Sequence, residues 1–215
     1  MTPRSYEAPG RRRAADAGRD RILLAAREVL NLDDLRAFSL EAVAGRAGVT
    51  RMTVYNQFGS KGGLLGELFD LLMEREAFSK MPAVFQTQDV GAAFDALVGM
   101  LGHFYTDNRP LMIRMSAAAG LDPDLDEAMR SRNLRRRRAI ETLVQRIDQS
   151  HRPSVAESEL VGTLDVLLNF STFNAIAGPD RTPKAVVPHM RRMIRSVLGL
   201  PARKPATRRT ARESE

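Results

Sequence analysis

Residues 39–61 read SLEAVAGRAGVTRMTVYNQFGSK, two short helical patterns either side of a glycine. Leu40, Val43, Ala44 and Ala47 recur at the spacing of one buried helix face. Ser39 is a suitable N-cap for that helix, and Gly48 breaks it by accepting a positive φ. Thr50 then caps a second helix running to about Phe58, with Val54 as the apolar anchor that faces the first. A small residue (Ala44) allows a close crossing, a glycine four positions on makes the turn, and Val54 lies six beyond it. A helix-turn-helix needs this combination, because its second helix must cross the first steeply to enter the DNA major groove. The bland alternative is a plain helical hairpin with a glycine C-cap.

The surrounding pattern is helical nearly throughout. Upstream, Ile22, Leu23, Ala26, Val29 and Leu30 form one amphipathic stripe. Residues 1–17, with two Pro, one Gly and the triple Arg11-Arg12-Arg13, read as a flexible basic arm. Downstream, Ser60 can cap a helix reaching roughly Met81, with Leu64, Leu65, Leu68, Phe69, Leu71 and Leu72 at helical spacing. Gly62, Gly63 and Gly66 weaken its start by about 1 kcal/mol each, so tertiary contacts or a ligand should hold it. Pro82 to Gln88 reads as a loop. Further helices are expected at about 89–107, 110–120, 123–150, 154–178 and 183–199. Pro110, Pro123, Pro153 and Pro183 sit at or near first turns, where Pro is tolerated. Pro188 either kinks the last helix or marks its true start. No period-2 run, βαβ alternation or internal repeat interrupts this reading. The expected fold is all-α, about nine helices. The expected domains are an arm (1–17), a three-helix helix-turn-helix DNA-binding domain (18–63), a helical bundle for effector binding and dimerisation (64–200) and a basic disordered tail (201–215).

The stretch resembles the DNA-binding domain of TetR-type repressors, the tetracycline-repressor family. The matching residues are Ala44, the Gly48-Val49-Thr50 turn, Thr53-Val54-Tyr55, Phe58, and Lys61 followed by Leu64-Leu65. The likeness in motif runs from Ile22 to Phe69, and helix number and chain length extend it. Gln57 stands where the family commonly has His, and the connector Asn31 to Phe38 lacks the family's usual Gly.

Roles in DNA binding follow from side-chain chemistry. Val54 and Phe58 belong to the buried face. Arg51, Met52, Thr53, Tyr55, Asn56 and Gln57 are the exposed candidates on the recognition helix. Arg51 can reach guanine O6 and N7, and Met52 or Thr53 can touch a thymine methyl. Tyr55, Gln57 and Lys61 are expected on phosphate, as similar positions are in the family. Ser39 and Thr50, as caps, leave backbone N–H groups free for phosphate. Arg11–Arg13 admit two readings, an arm on the backbone or minor groove and a solvated tail.

The resemblance implies that the remaining helices bind a small-molecule effector and form a homodimer that reads a palindromic double-stranded operator. Glu159 to Gly178 and the last helix (Met190, Met193, Ile194, Val197, Leu198) mix large and small apolar residues suited to an interface. The bland reading is that they close the monomer core. Candidate pocket residues are Phe94, Leu97, Met100, Leu101, Phe104, Met112, Met115, Phe170 and Phe173, with His103, Tyr105, Asn169 and Asn174 as nearby polar groups. A mainly apolar lining favours a hydrophobic effector. Effector binding would move the fourth helix and with it the two recognition helices. Arg135 to Arg138 read as a solvated face, with Arg137 near Glu141 at i,i+4.

Composition sets the outer bounds. The 215 residues carry 33 Lys+Arg against 26 Asp+Glu, a net +7, and no Cys. Absence of Cys excludes disulfides, thiolate nucleophiles and Cys-ligated metals. The charge is uneven: +4 over residues 1–63, −5 over 64–180 and +8 over 181–215. Basic ends suit a polyanion through counterion release, although basic tails can equally be solvated. The three His are far apart, with no H-E-x-x-H, P-loop or G-x-S-x-G, so no enzyme, catalytic residue, metal or cofactor is expected. No apolar run suits a membrane span and the N-terminus lacks an apolar core of the signal-peptide kind, so a cytoplasmic protein is expected. The competing reading is an architectural helix-turn-helix DNA-binding protein with no effector.

Overall fold

The computed structural model describes residues 9–30, 38–76, 81–148 and 153–201. Among these there is no strand, and eleven α-helices follow one another: α1 (Pro9–Leu30), α2 (Leu40–Ala47), α3 (Arg51–Phe58), α4 (Lys61–Glu76), α5 (Met81–Gln86), α6 (Val90–Asp107), α7 (Arg109–Ala118), α8 (Pro123–Val144), α9 (Glu157–Leu167), α10 (Phe170–Ala177) and α11 (Val187–Val197). The all-α expectation stands, and the count exceeds nine for two local reasons. Residues 82–86, expected in a loop, belong to the short helix α5, with Val84 buried. The expected helix 154–178 is broken in two, because Asn169 turns extended and its side chain accepts from the Thr172 amide to start α10.

The helix α1 begins at Pro9, not Gly18, so residues 9–17 extend the helix instead of forming the expected arm. Pro is pre-shaped for a first turn, and Arg and Ala are strong helix formers. The side chains of Arg11–Arg13, the connector 31–37 and the tail from residue 202 lie outside the described residues. Pro188 occupies the first turn of α11, after a 3-10 turn at Pro183–Val186 capped by Thr182. It therefore starts the last helix instead of kinking it. Pro183 and Val186 of this turn are buried against α6 and α10.

Helices α1 to α3 wrap around a small apolar centre. Ile22, Leu23, Ala26, Val29 and Leu30 of α1 are buried, as are Phe38, Val43, Ala44, Val54 and Phe58. Arg19 ties this unit together: its guanidinium lies 4.6 Å over the Phe58 ring, donates to the Gln57 carbonyl at 3.1 Å and pairs with Glu67 of α4. In turn α4 packs against both α1 and α8, so it joins the first helices to the body. Leu64, Leu65, Leu68, Phe69 and Leu72 are fully buried along it. The boundary drawn after residue 63 thus falls inside one continuous helix.

The body centres on α6, buried nearly all round, with α11 on one side. Asp95 of α6 is 4% exposed and receives the Arg195 guanidinium of α11 at 2.8 Å. The aromatic residues Phe170 and Phe173 of α10 meet Tyr105 edge-on at 5.5 and 5.3 Å. Helix α8 lies across α4 and α9. Among the described residues, no single helix is long and apolar enough to cross a membrane.

Candidate nucleic-acid interface

The turn between α2 and α3 is built as its residues require. Ser39 is extended (φ −144°, ψ 161°), and its hydroxyl accepts from the Ala42 amide at 3.1 Å. Gly48 adopts φ 66°, ψ 36°, and its amide returns to the Ala44 and Gly45 carbonyls. Val49 also donates to Ala44 at 3.0 Å. A non-glycine residue in that left-handed region costs roughly 1–2 kcal/mol. Thr50 opens α3: its hydroxyl accepts from the Thr53 amide at 3.1 Å and lies 2.9 Å from the Thr53 hydroxyl. Val54 and Phe58 turn inward, as expected.

The opposite face of α3 is open. Arg51, Met52, Tyr55 and Asn56 are exposed, Met52 and Tyr55 to 61% and 52%, far beyond what such apolar bodies show in a core. Arg51 is lightly held by Glu41 at 3.9 Å, an exposed pair that DNA can displace at little cost. Thr53 is half-buried through its bond to Thr50.

Gln57 and Lys61 stand differently from the phosphate contacts expected of them. Gln57 is half-buried, and its Oε1 is fully buried without a hydrogen-bond partner. Lys61 turns its ammonium away from the open face of α3, pairs with Asp122 and lies 5.6 Å from the Phe38 ring centre. The pair joins the first turn of α4 to the N-cap of α8, where Asp122 also accepts from the Asp124 and Leu125 amides at 3.0 and 3.3 Å. Burial alone would raise the Asp122 carboxyl, but Lys61 and those two amides hold it below its ordinary range. The acid that holds Lys61 lies sixty-one residues away in sequence, out of reach of motif reading.

The glycine-weakened start of α4 is held by contacts. Ser60 accepts from the Gly63 amide at 2.9 Å. At Gly63 a Cβ would lie 2.1 Å from the Phe58 carbonyl oxygen, so only glycine allows α4 to turn so closely off the end of α3.

The body contains a cavity of about 340 Å³ between α5, α6 and α8. Of the expected pocket residues it brings together Leu97, Met100 and Leu101. Phe94, Phe104, Met112, Met115, Phe170 and Phe173 are buried but do not line it. The reason is that α6 is buried on most of its circumference, so its apolar residues divide between cavity wall and solid core. The wall is completed by Met81, Phe85, Tyr105, Ala139, Thr142 and four arginines, Arg132, Arg135, Arg136 and Arg138, none of which was expected there. Nor is Arg135 to Arg138 simply a solvated face. Arg137 does meet Glu141 at 3.2 Å, but Arg135 pairs with Asp70 of α4, and Arg136, nearly buried, pairs with Asp165 of α9 at 2.9 Å. One signal was legible: Arg132 interrupts the buried stripe Leu125, Ala128, Ile140, Leu143, Val144 of α8. Of the other polar candidates, His103 is exposed and bonds Gly99 through Nδ1 at 2.8 Å, Asn169 caps α10, and Asn174 accepts from Arg109 at 2.8 Å. Only Tyr105 reaches the cavity.

A capped pair of short helices with an open second face, continuous with a helical body, defines a helix-turn-helix protein. Comparison with known proteins narrows the class. Residues 22–68 match the model of bacterial regulatory proteins of the tetR family. The transcriptional regulator AlkX of Mycobacterium tuberculosis is 31% identical over 109 residues, 50% of each chain, so the match spans about half the length of that relative. The fold is shared with a TetR transcription regulator from Haloarcula marismortui (TM-score 0.63, 18% identity, 86% of this chain and 97% of that one). NalD of Pseudomonas aeruginosa, the secondary repressor of the MexAB-OprM multidrug efflux pump, is similar (TM-score 0.62, 18% identity, 85% and 97%). Residues 22–68 thus resemble the DNA-binding segment of tetR-family regulators, and the whole chain shares the fold of solved TetR-type proteins.

Proposed function

We propose that the protein is a sequence-specific repressor that binds a palindromic operator as a homodimer and releases it when a small, largely apolar effector enters the body. It would act in the cytoplasm and without catalysis. The observation that carries this reading is the shared use of α4: it begins at the end of the recognition helix and packs along α8, one wall of the cavity. Reading comes from the open face of α3, with Arg51 on a guanine and Met52 or Tyr55 on neighbouring groups. Two half-sites about one DNA turn apart, roughly 34–36 Å, call for two copies of that helix. The segments α9–α10 and α11 are the proposed dimer surface. Val166 on α9 is 60% exposed, and a Cβ at Gly162 would meet nothing within 4 Å. An effector that prefers one arrangement of α8 against α4 shifts the separation of the two recognition helices, and couplings of this kind are typically about 1–3 kcal/mol. That NalD is a repressor supports the sign of the response.

The test is salt-titrated binding of the full chain to a palindrome from the DNA upstream of its own gene, against a scrambled duplex. Tight binding to the palindrome alone is expected. Equal affinity for both duplexes would overturn sequence-specific regulation.

A further inference from the structure

The least ordinary group in the body is Arg132. It is 7% exposed, yet the other buried residues of its face of α8 are apolar. A guanidinium has five donors and remains charged in proteins, so burying one normally calls for a carboxylate. Of its neighbours on the same wall, Arg135 pairs with Asp70, Arg136 pairs with Asp165, and Arg138 is exposed to solvent. Among the described residues no carboxylate pairs with Arg132. Its surroundings are the rings of Phe69, Phe104 and Tyr105, at 5.8, 5.6 and 5.5 Å, and the Tyr105 hydroxyl, which itself donates to the Leu168 carbonyl at 2.9 Å. Burial pushes the group below its ordinary range, and Arg136 and Arg135 add like charge; the Tyr105 hydroxyl only partly offsets this.

That cation lines the apolar cavity, opposite Leu97, Met100 and Leu101. We infer that the cavity takes an amphipathic monocarboxylate, its head group paired with Arg132 and its apolar body against the α6 wall. A carboxylate accepts two parallel N–H bonds from a guanidinium and supplies the missing countercharge, while the aliphatic wall prefers a tail to water. A fully polar anion gains nothing from that wall, and a neutral apolar molecule leaves the cation uncompensated. The volume, about 340 Å³, is within the usual range for small-molecule sites and matches a single chain or ring system of modest size. The inference deepens the proposed effector response and rests on the same cavity. It also names the link to the reader, because the guanidinium that would hold the head group lies over Phe69 of α4.

The experiment is calorimetric titration of the full chain with decanoate, with 1-naphthoate as the aromatic carboxylate, and with methyl decanoate as the uncharged counterpart. Decanoate is expected to bind about tenfold or more tighter than its methyl ester, the worth of one charge-assisted pair. Naphthoate binding instead of decanoate would still support the site and assign it to aromatic acids. In Arg132→Met, a change that replaces a buried charge by apolar volume and should fold, the preference for the acid over the ester is expected to disappear. An ester bound as tightly as the acid, no acid bound at all, or an unchanged preference in Arg132→Met would each overturn the inference. The comparison of acid with ester in the unaltered protein stands even if the variant does not fold. Operator affinity measured with saturating acid separates the two readings: binding at Arg132 without any change in operator affinity supports the carboxylate site and overturns the effector response.

Discussion

The Lys61 ammonium and the Asp122 carboxylate form an ion pair between the first residue of α4 and the N-cap of α8, and both side chains are largely buried. A side chain expected to bind phosphate is thereby held by the body. For Lys61 to reach DNA this pair would have to open, so the affinity of the reader is expected to depend partly on α8.

Asp122→Asn keeps an oxygen that caps α8 but removes the charge that holds Lys61. Fluorescence anisotropy across a salt series is expected to show tighter binding to DNA of any sequence, with a slope steeper by about one phosphate contact. Adding Lys61→Ala should abolish the gain. An unchanged slope in Asp122→Asn would mean that Lys61 does not reach phosphate.

The same pair predicts a pH dependence of stability. The Asp122 carboxyl is lowered in the folded chain, so the unfolded chain binds its proton first as pH falls through the ordinary value, about 3.9. Its contribution is therefore complete above about pH 5 and is lost on acidification through the lowered folded value. Urea unfolding should find the wild type about 1 kcal/mol more stable than Asp122→Asn at neutral pH. The two should converge in acid, and a gap that widened there would contradict the assignment.

Arg51→Ala should relax discrimination at one base pair of each half-site, by about 1–3 kcal/mol, while leaving the other positions intact. Tyr55→Phe should weaken all sequences alike. Competition against a set of single-base operator variants distinguishes the two patterns, and a uniform loss in Arg51→Ala would move that residue from base to phosphate.

Two glycines should respond differently to alanine. At Gly48 there is open space but φ is 66°, so Gly48→Ala is expected to cost about 1 kcal/mol of backbone strain. At Gly63 the added methyl would strike the Phe58 carbonyl, and about 3 kcal/mol is expected, together with weaker DNA binding from a displaced α3. Thermal unfolding of the two variants ranks them, and equal costs would show that the corner between α3 and α4 yields freely.

Removing the buried acid at Asp95 leaves Arg195 without its closest partner between α6 and α11. Asp95→Ala should destabilise by about 3–5 kcal/mol in urea unfolding, the range for breaking a buried pair. A loss below 1 kcal/mol would show that water reaches the site freely.

Local chemistry made the reading unit legible in advance. Ser39, Gly48, Thr50, Val54 and Phe58 act through neighbours three to five residues away, by caps, a positive φ and a helix period, and these are written in the order of the residues. Helix α1 and the break at Asn169 were less legible, because Pro, Arg and Asn are compatible with either outcome until packing chooses. The partners of the charged residues were not legible at all. Lys61 meets Asp122, Arg135 meets Asp70, and Arg132 meets rings from α4 and α6, each across a distance in sequence that no periodicity encodes. The sequence by itself determined an all-helical chain with a helix-turn-helix near its start. Only the tertiary structure decided which cations face solvent, which are paired, and which one is buried without a carboxylate on the wall of an apolar cavity, because desolvation and pairing depend on where distant helices meet.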